Sequence, residues 1–233
     1  MAIDVRPASS RFHTELDWLD SWHSFSFGPY HDQRNVGHGL LIVNNDDTVR
    51  AGGGFGTHGH RDMEIVTWVL QGELGHRDST GTDDVIYPGL AQRMSAGSGI
   101  RHSEMNASST ADVHFVQMWV LPDTDGIEPG YEQRDLNDEL AGGGLVVVAS
   151  GRGHDGAITI HQRDAAFSVG RLGPGEEVAV PDAPHAHVFV AVGGAALDGT
   201  PLGTGDAARL TDAGTPTLTA GDDGAEVLVW ATA

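Results

Sequence analysis

No cysteine occurs in the 233 residues. That excludes a disulfide framework and thiolate ligation of a metal, and it fits a cytoplasmic chain. No stretch approaches the roughly 20 apolar residues that span a bilayer. The opening "MAIDVRPASSRFH" carries Asp4 and no apolar run, so no secretory signal is expected. Positive charge is scarce: 13 Lys plus Arg stand against 33 Asp plus Glu, a formal net charge of -20. Such a surface repels phosphate backbones, which disfavours direct nucleic-acid binding and leaves a basic protein partner compatible. Sustained helical periodicity is nearly missing as well, although "YEQRDLNDEL" could make a short turn of helix.

What is abundant is glycine, 33 residues, roughly twice the usual share. Helices tolerate glycine poorly, so tight turns between short strands are its expected use, and the fold class is all-β. "GLLIVNNDDTVRAGGGF" reads as two strands about an Asn/Asp turn, and "MEIVTWVLQGELGHRDSTG" as β-branched strands broken at Gly72. In "ADVHFVQMWVLP", His114, Val116, Met118 and Val120 alternate with Val113, Phe115, Gln117 and Trp119. Both faces are largely apolar, as in a strand buried on two sides. Residues 123–142 are polar, acidic and Pro/Gly-containing, and read as a connector between a first unit, 1–122, and a second, 143–233. A weak repeat, "GLAQRMSAGSG" against "GDAARLTDAGTP", supports duplication of one β-unit.

The chemistry concentrates in "GTHGHRDME" and "GIRHSEMN". Residues two apart on a strand share a face, so His58 with His60, and His102 with Glu104, each offer two ligands to one side. Three imidazoles and one carboxylate suit Fe²⁺, Mn²⁺, Ni²⁺, Cu²⁺ or Zn²⁺, with two octahedral positions left open. His76 and His114 are expected in or near the first barrel as hydrogen-bonded strand residues. His23 and His31 are expected to pack at the N-terminus, and Trp18, Trp22, Phe25 and Phe27 to belong to the core. A second pair, His185 and His187, lies nine residues before Gly194, whereas His58 lies fourteen before Gly72. The two pairs are not equivalent, and the second unit is expected to hold no metal.

Those residues carry a family resemblance. "GGGFGTHGHRDMEIVTWVLQG" fits the first cupin motif through Gly52, His58, His60, Glu64 and Gly72, the last glycine one residue later than usual. "GSGIRHSEMN" fits the second through Gly99, His102 and Asn106, with Gly97 where proline is usual. Together with "LDWLDSWHSFSFGPYHD" and "YEQR", these stretches make the chain similar to bacterial pirins. The resemblance implies a bicupin, two consecutive jelly-roll barrels, with one metal held in the first by His58, His60, His102 and Glu104. Glu64, a ligand in general cupins, then supports the site or the structure. It further implies a divalent transition ion, Fe²⁺ foremost, with Zn, Mn, Ni, Cu or Co compatible. The activity implied is quercetin 2,3-dioxygenase-type cleavage of a flavonol by dioxygen, with Glu104 as base and Phe115 and Met118 as pocket walls. The alternative implied by the same family is a metal- or redox-switched interaction protein.

Overall fold

The computed structural model describes residues 2–233. Among them the chain forms three sheets and almost no helix. The longest helical stretch among the described residues is Asn137–Leu140, and no helix among them is long and apolar enough to cross a membrane. In the first half, a four-stranded sheet runs in the order Gly54–His60, Ile100–Asn106, Leu74–Asp78, Asp83–Ile86. It packs against a seven-stranded sheet whose central strands are Glu64–Gln71, Val113–Val120 and Leu41–Val49. Leu74 and Ile86 of the smaller sheet meet Val49, Val69 and Phe115 of the larger one in a shared core. The second half is a single nine-stranded sheet that curls on itself through its long strands, His185–Leu197 and Thr217–Thr232. Their pairing shifts register at Val190/Val192 and again at Gly193/Ala195. Gly193 has φ of 76° there, and a Cβ would collide with the Gly224 carbonyl, so the bend needs glycine. The architecture is two cupin-type barrels.

The barrels join through apolar side chains. Trp68, Val116 and Met118 from the first pack with Phe167, Phe189, Leu228 and Trp230 from the second. Strand Val113–Val120 therefore buries both faces, Phe115 inside its own barrel and Met118 in the seam between barrels. That double burial explains why alternation there gives two apolar faces.

The boundaries are less tidy than composition implied. Strand Ala2–Arg6 pairs with Ala207–Thr211, so the N-terminus belongs to the second sheet. Within 123–142, strand Gly130–Asp135 pairs with Leu90–Ser95 and forms the edge of the seven-stranded sheet. An edge strand wets one side and is polar for that reason, so its composition resembles a linker's. Of "YEQRDLNDEL", only Asn137–Leu140 turns helical.

Candidate metal centre

Strand register brings His58, His60 and His102 into one group of ligand-like spacing and sets Glu104 beside His102 and His76. His102 pairs directly with His58, and residues paired across a ladder share a face. His102 and Glu104, two apart on one strand, are both buried on that face, while a bulge on the partner strand puts Glu104 opposite Phe55. The ring centroids of His58, His60 and His102 lie 4.5 to 4.9 Å apart. One ligand atom from each falls within 4.8 Å of the other two. Nδ1 of His58 lies 2.8 Å from the Gly56 carbonyl, which can only accept. The proton therefore sits on Nδ1 and leaves Nε2 as a lone pair, 3.1 Å from Nε2 of His102. Burial, aided by its imidazole neighbours, pushes His102 down to about 3. Burial and His58 push His60 down to about 4. Both rings stay neutral, with lone pairs free at neutral pH.

Glu104 is fully enclosed, and burial pushes it up to about 7 against the pull of Gln117. The Gln117 amide donates to both carboxylate oxygens, at 3.0 and 2.8 Å. Its own oxygen accepts the Trp119 indole N–H at 3.1 Å. An indole N–H only donates, so that contact fixes which way the amide points. No guanidinium is among the hydrogen-bond partners of this buried carboxylate. A divalent cation at the imidazoles would supply the missing positive charge, and neutral imidazoles plus one anionic oxygen are a donor set for it. The residues fit a metal.

The cluster opens on a cavity of about 290 Å³, near the lower end of the ~300–1,000 Å³ typical of small-molecule sites. His58, His60 and Glu104 line one side with Phe55, Gln117 and Trp119. Phe27 and Trp119 meet edge to face at 5.5 Å, and Trp119 also stands edge-on to His60 at 5.0 Å. The far side is polar, with Thr14, Ser21, His23, Asn45 and Asp47. His23 bridges Asn45 and Thr14, each at 2.9 Å. Ser21 donates to Asp47, whose carboxyl burial raises to about 7.

Comparison with known proteins agrees with this architecture. A family model described as Pirin matches residues 5–120. A relative in Mycobacterium tuberculosis, named "Putative quercetin 2,3-dioxygenase", is 54% identical over 230 residues, covering 98% of this chain and 94% of its own. The chain belongs to the pirin family. The second barrel of this pirin, residues 147–230, matches a model described as Quercetinase C-terminal cupin domain. An Escherichia coli relative named quercetin 2,3-dioxygenase is 49% identical over 160 residues, 69% of this chain and 68% of its own. Among solved structures, YhhW from Escherichia coli superposes with a TM-score of 0.92 at 38% identity, covering 100% of this chain and 98% of its own. A second structure, of bacterial pirin YhhW in complex with nickel(II), gives a TM-score of 0.90 at 38% identity over 98% of both chains.

Other residues singled out in the sequence divide between this site and the rest of the pirin. Glu64 is fully buried away from the imidazole cluster, accepting from the Ser95 hydroxyl at 2.9 Å and the His161 backbone N–H at 3.1 Å. It fastens the first barrel to the second. His76 pairs across the ladder with Glu104, its ring 5.3 Å from that of His102 and its Nε2 3.2 Å from Asp78. With His102 and Glu104 it forms a second group of ligand-like spacing. Phe115 lies in the barrel core, and Met118 lies in the seam, its sulfur accepting the Trp230 N–H at 3.2 Å. Neither lines the cavity; Gln117 and Trp119 do. The signal was present in the alternation, since Gln117 is the polar residue on the Phe115–Trp119 face. His114 is on the opposite face, bonded to Asp46 at 2.6 Å, and so points out of the first barrel. Phe27 and His23 line the cavity instead of merely packing, whereas Phe25 is core and His31 is exposed. In the second barrel, His187 is buried beside Phe25, and His185 stands edge-on to His38.

Proposed function

We propose that this pirin is a metal-dependent dioxygenase that opens the central ring of a flavonol such as quercetin. The observation that carries the reading is a cavity lined by His58, His60 and the buried Glu104, with His102 clustered behind them, and by flat aromatic walls and a polar far side. A flat polyhydroxylated ring system matches that division: its faces meet Phe27, Phe55 and Trp119, and its hydroxyls meet Thr14, Asn45 and Asp47. The names of the Escherichia coli and Mycobacterium tuberculosis relatives support the same substrate class. His58, His60, His102 and Glu104 would hold the metal, Fe²⁺ in our reading. When bound, the ion would supply Lewis acidity toward the flavonol 3-hydroxyl and redox access to dioxygen.

The chain's own residues do the rest. His58 and His60 set one edge of the site, and Trp119 keeps His60 from turning. Glu104 is the base that takes the 3-hydroxyl proton at a carboxylate oxygen. Gln117 holds that carboxylate in place while the proton moves. The apolar walls exclude water from the flavonolate, whose C2 and C4 combine with dioxygen. C3 then leaves as carbon monoxide, and a depside remains. A metal-switched interaction protein would not need the enclosed cavity.

The test is carbon monoxide release from quercetin and dioxygen. Protein reconstituted without air with Fe²⁺, and separately with nickel(II), is compared with its His102→Ala variant. Release that needs both metal and His102 is expected. A metal-loaded protein that releases none would overturn the reading.

A further inference from the structure

On the far side of the seam, in a protein of net charge -20, three arginines converge. Arg6 comes from the N-terminal strand, Arg11 from the entry to the first barrel and Arg209 from the second barrel. They surround a small cavity completed by Ser10, Ser24 and Asn35. Register explains part of the meeting, since Arg6 pairs with Ala207 and Asp4 with Arg209, so all four share one face of the second sheet.

Two of the guanidiniums are held by aromatic rings. Arg209 lies 4.4 Å over Phe25, and Arg11 lies 5.6 Å over Trp22 and 5.5 Å over Phe189. Arg209 is 7% exposed and the Arg11 side chain 9%. Their outward arms are engaged, Arg209 with the Ser24 carbonyl and Arg11 with Asp46, each at 2.8 Å. The Nε atoms of both are buried without a protein partner among the described residues. A buried N–H left unpaired is costly, and a buried cation without a counter-charge more so.

Charge counting fixes the valence of what would satisfy them. Arg6 is balanced by Asp4 and Arg11 by Asp46, both at 2.8 Å. Arg209 has no carboxylate among its hydrogen-bond partners. Three positive groups against two negative ones leave one positive charge. Size narrows the class further: the cavity is about 20 Å³, little more than the ~10–15 Å³ that one water centre needs. A tetrahedral oxyanion does not fit. We propose that this pocket binds one small monovalent anion, a halide ion or a carboxylate group, which ties the N-terminal strand to both barrels.

The site is separate from the metal centre, and its test does not depend on catalysis. In metal-loaded protein, Tm is followed while sodium bromide, sodium formate or sodium sulfate is raised at fixed ionic strength, balanced with sodium isethionate. A ligand of the folded state raises Tm saturably. Bromide or formate should do so, and sulfate should not. If bromide alone acts the occupant is a halide, and if formate alone acts it is a carboxylate. Arg209→Gln should abolish the response. Arg6→Gln should raise the half-saturating concentration roughly tenfold, the loss expected of one charge-assisted hydrogen bond. Anion binding at the metal would survive unchanged in both variants, so a response of undiminished affinity in them overturns the proposal, as does a flat Tm or an equal response to sulfate. Should Arg209→Gln not fold, Arg6→Gln and a bromide-soaked crystal decide. Where bromide raises Tm, anomalous density beside the Nε atoms of Arg209 and Arg11 is expected, and density only elsewhere refutes the site.

Discussion

Replacing Gln117 with leucine keeps the side-chain bulk and removes the two N–H contacts that Glu104 accepts. Glu104 is 3% exposed and hydrogen-bonds to no other protein group. The variant therefore leaves a buried carboxylate with no donor. Hydrogen bonds to charged groups contribute about 1.5–3 kcal/mol, and loss of a group that orients a ligand typically weakens metal affinity 10–100-fold. The two scales agree, because 10–100-fold corresponds to about 1.4–2.7 kcal/mol. The assay is competition for Fe²⁺ or nickel(II) with a chromophoric chelator at neutral pH, with circular dichroism to confirm the fold. A tenfold or greater loss is expected. Gln117→Glu should be worse, since it sets a second buried carboxyl against the first. Unchanged affinity in a folded Gln117→Leu protein would refute the reasoning, because it would mean that Glu104 either is not a ligand or needs no support.

Three further outcomes follow from other parts of the structure. His102→Ala should lose the metal and keep the fold, whereas His185→Ala should keep both; full metal occupancy in the His102 variant would sink the ligand assignment. His187 is buried and held well below its ordinary pKa, chiefly by burial and also by Arg209. Its folded form refuses a proton that the unfolded chain accepts below about 6.5, so stability is complete above that pH and falls beneath it. The slope is about 1.4 kcal/mol per pH unit, and His187→Phe should flatten urea-melt stability between pH 6.5 and 5 by roughly 2 kcal/mol relative to the parent; parallel pH profiles would contradict this. Trp230, 1% exposed in the seam, should cost about 3–5 kcal/mol as Trp230→Ala, read from denaturant midpoints, and a loss under 1 kcal/mol would show that the seam contributes little.

Much of the fold was legible because strand chemistry is local. Alternation in 113–120, the glycine-rich turns and the near absence of helical period point to an all-β chain without reference to distant residues. The two pairs, His58 with His60 and His102 with Glu104, were legible for the same reason. Each is a two-residue spacing on one strand, and spacing fixes a face. The pairing of one with the other is a matter of register, His102 opposite His58, and no local pattern contains it.

Register also accounts for what composition misplaced. Strand Gly130–Asp135 reads as a linker because only its partner, Leu90–Ser95, makes it a strand. Phe115 and Met118 were expected as walls of the apolar pocket that the implied activity needs. Apolar character, though, marks surfaces that are buried, and this strand buries two of them against different partners. What meets a buried carboxylate must donate, and Gln117 is the residue on the inward face of that strand able to do so. The useful question for such a segment is therefore which polar residue the apolar ones enclose. Here the enclosed amide is held by Trp119 and holds Glu104 in turn, so the geometry of the candidate metal centre is set from the sheet opposite the one that carries its candidate ligands.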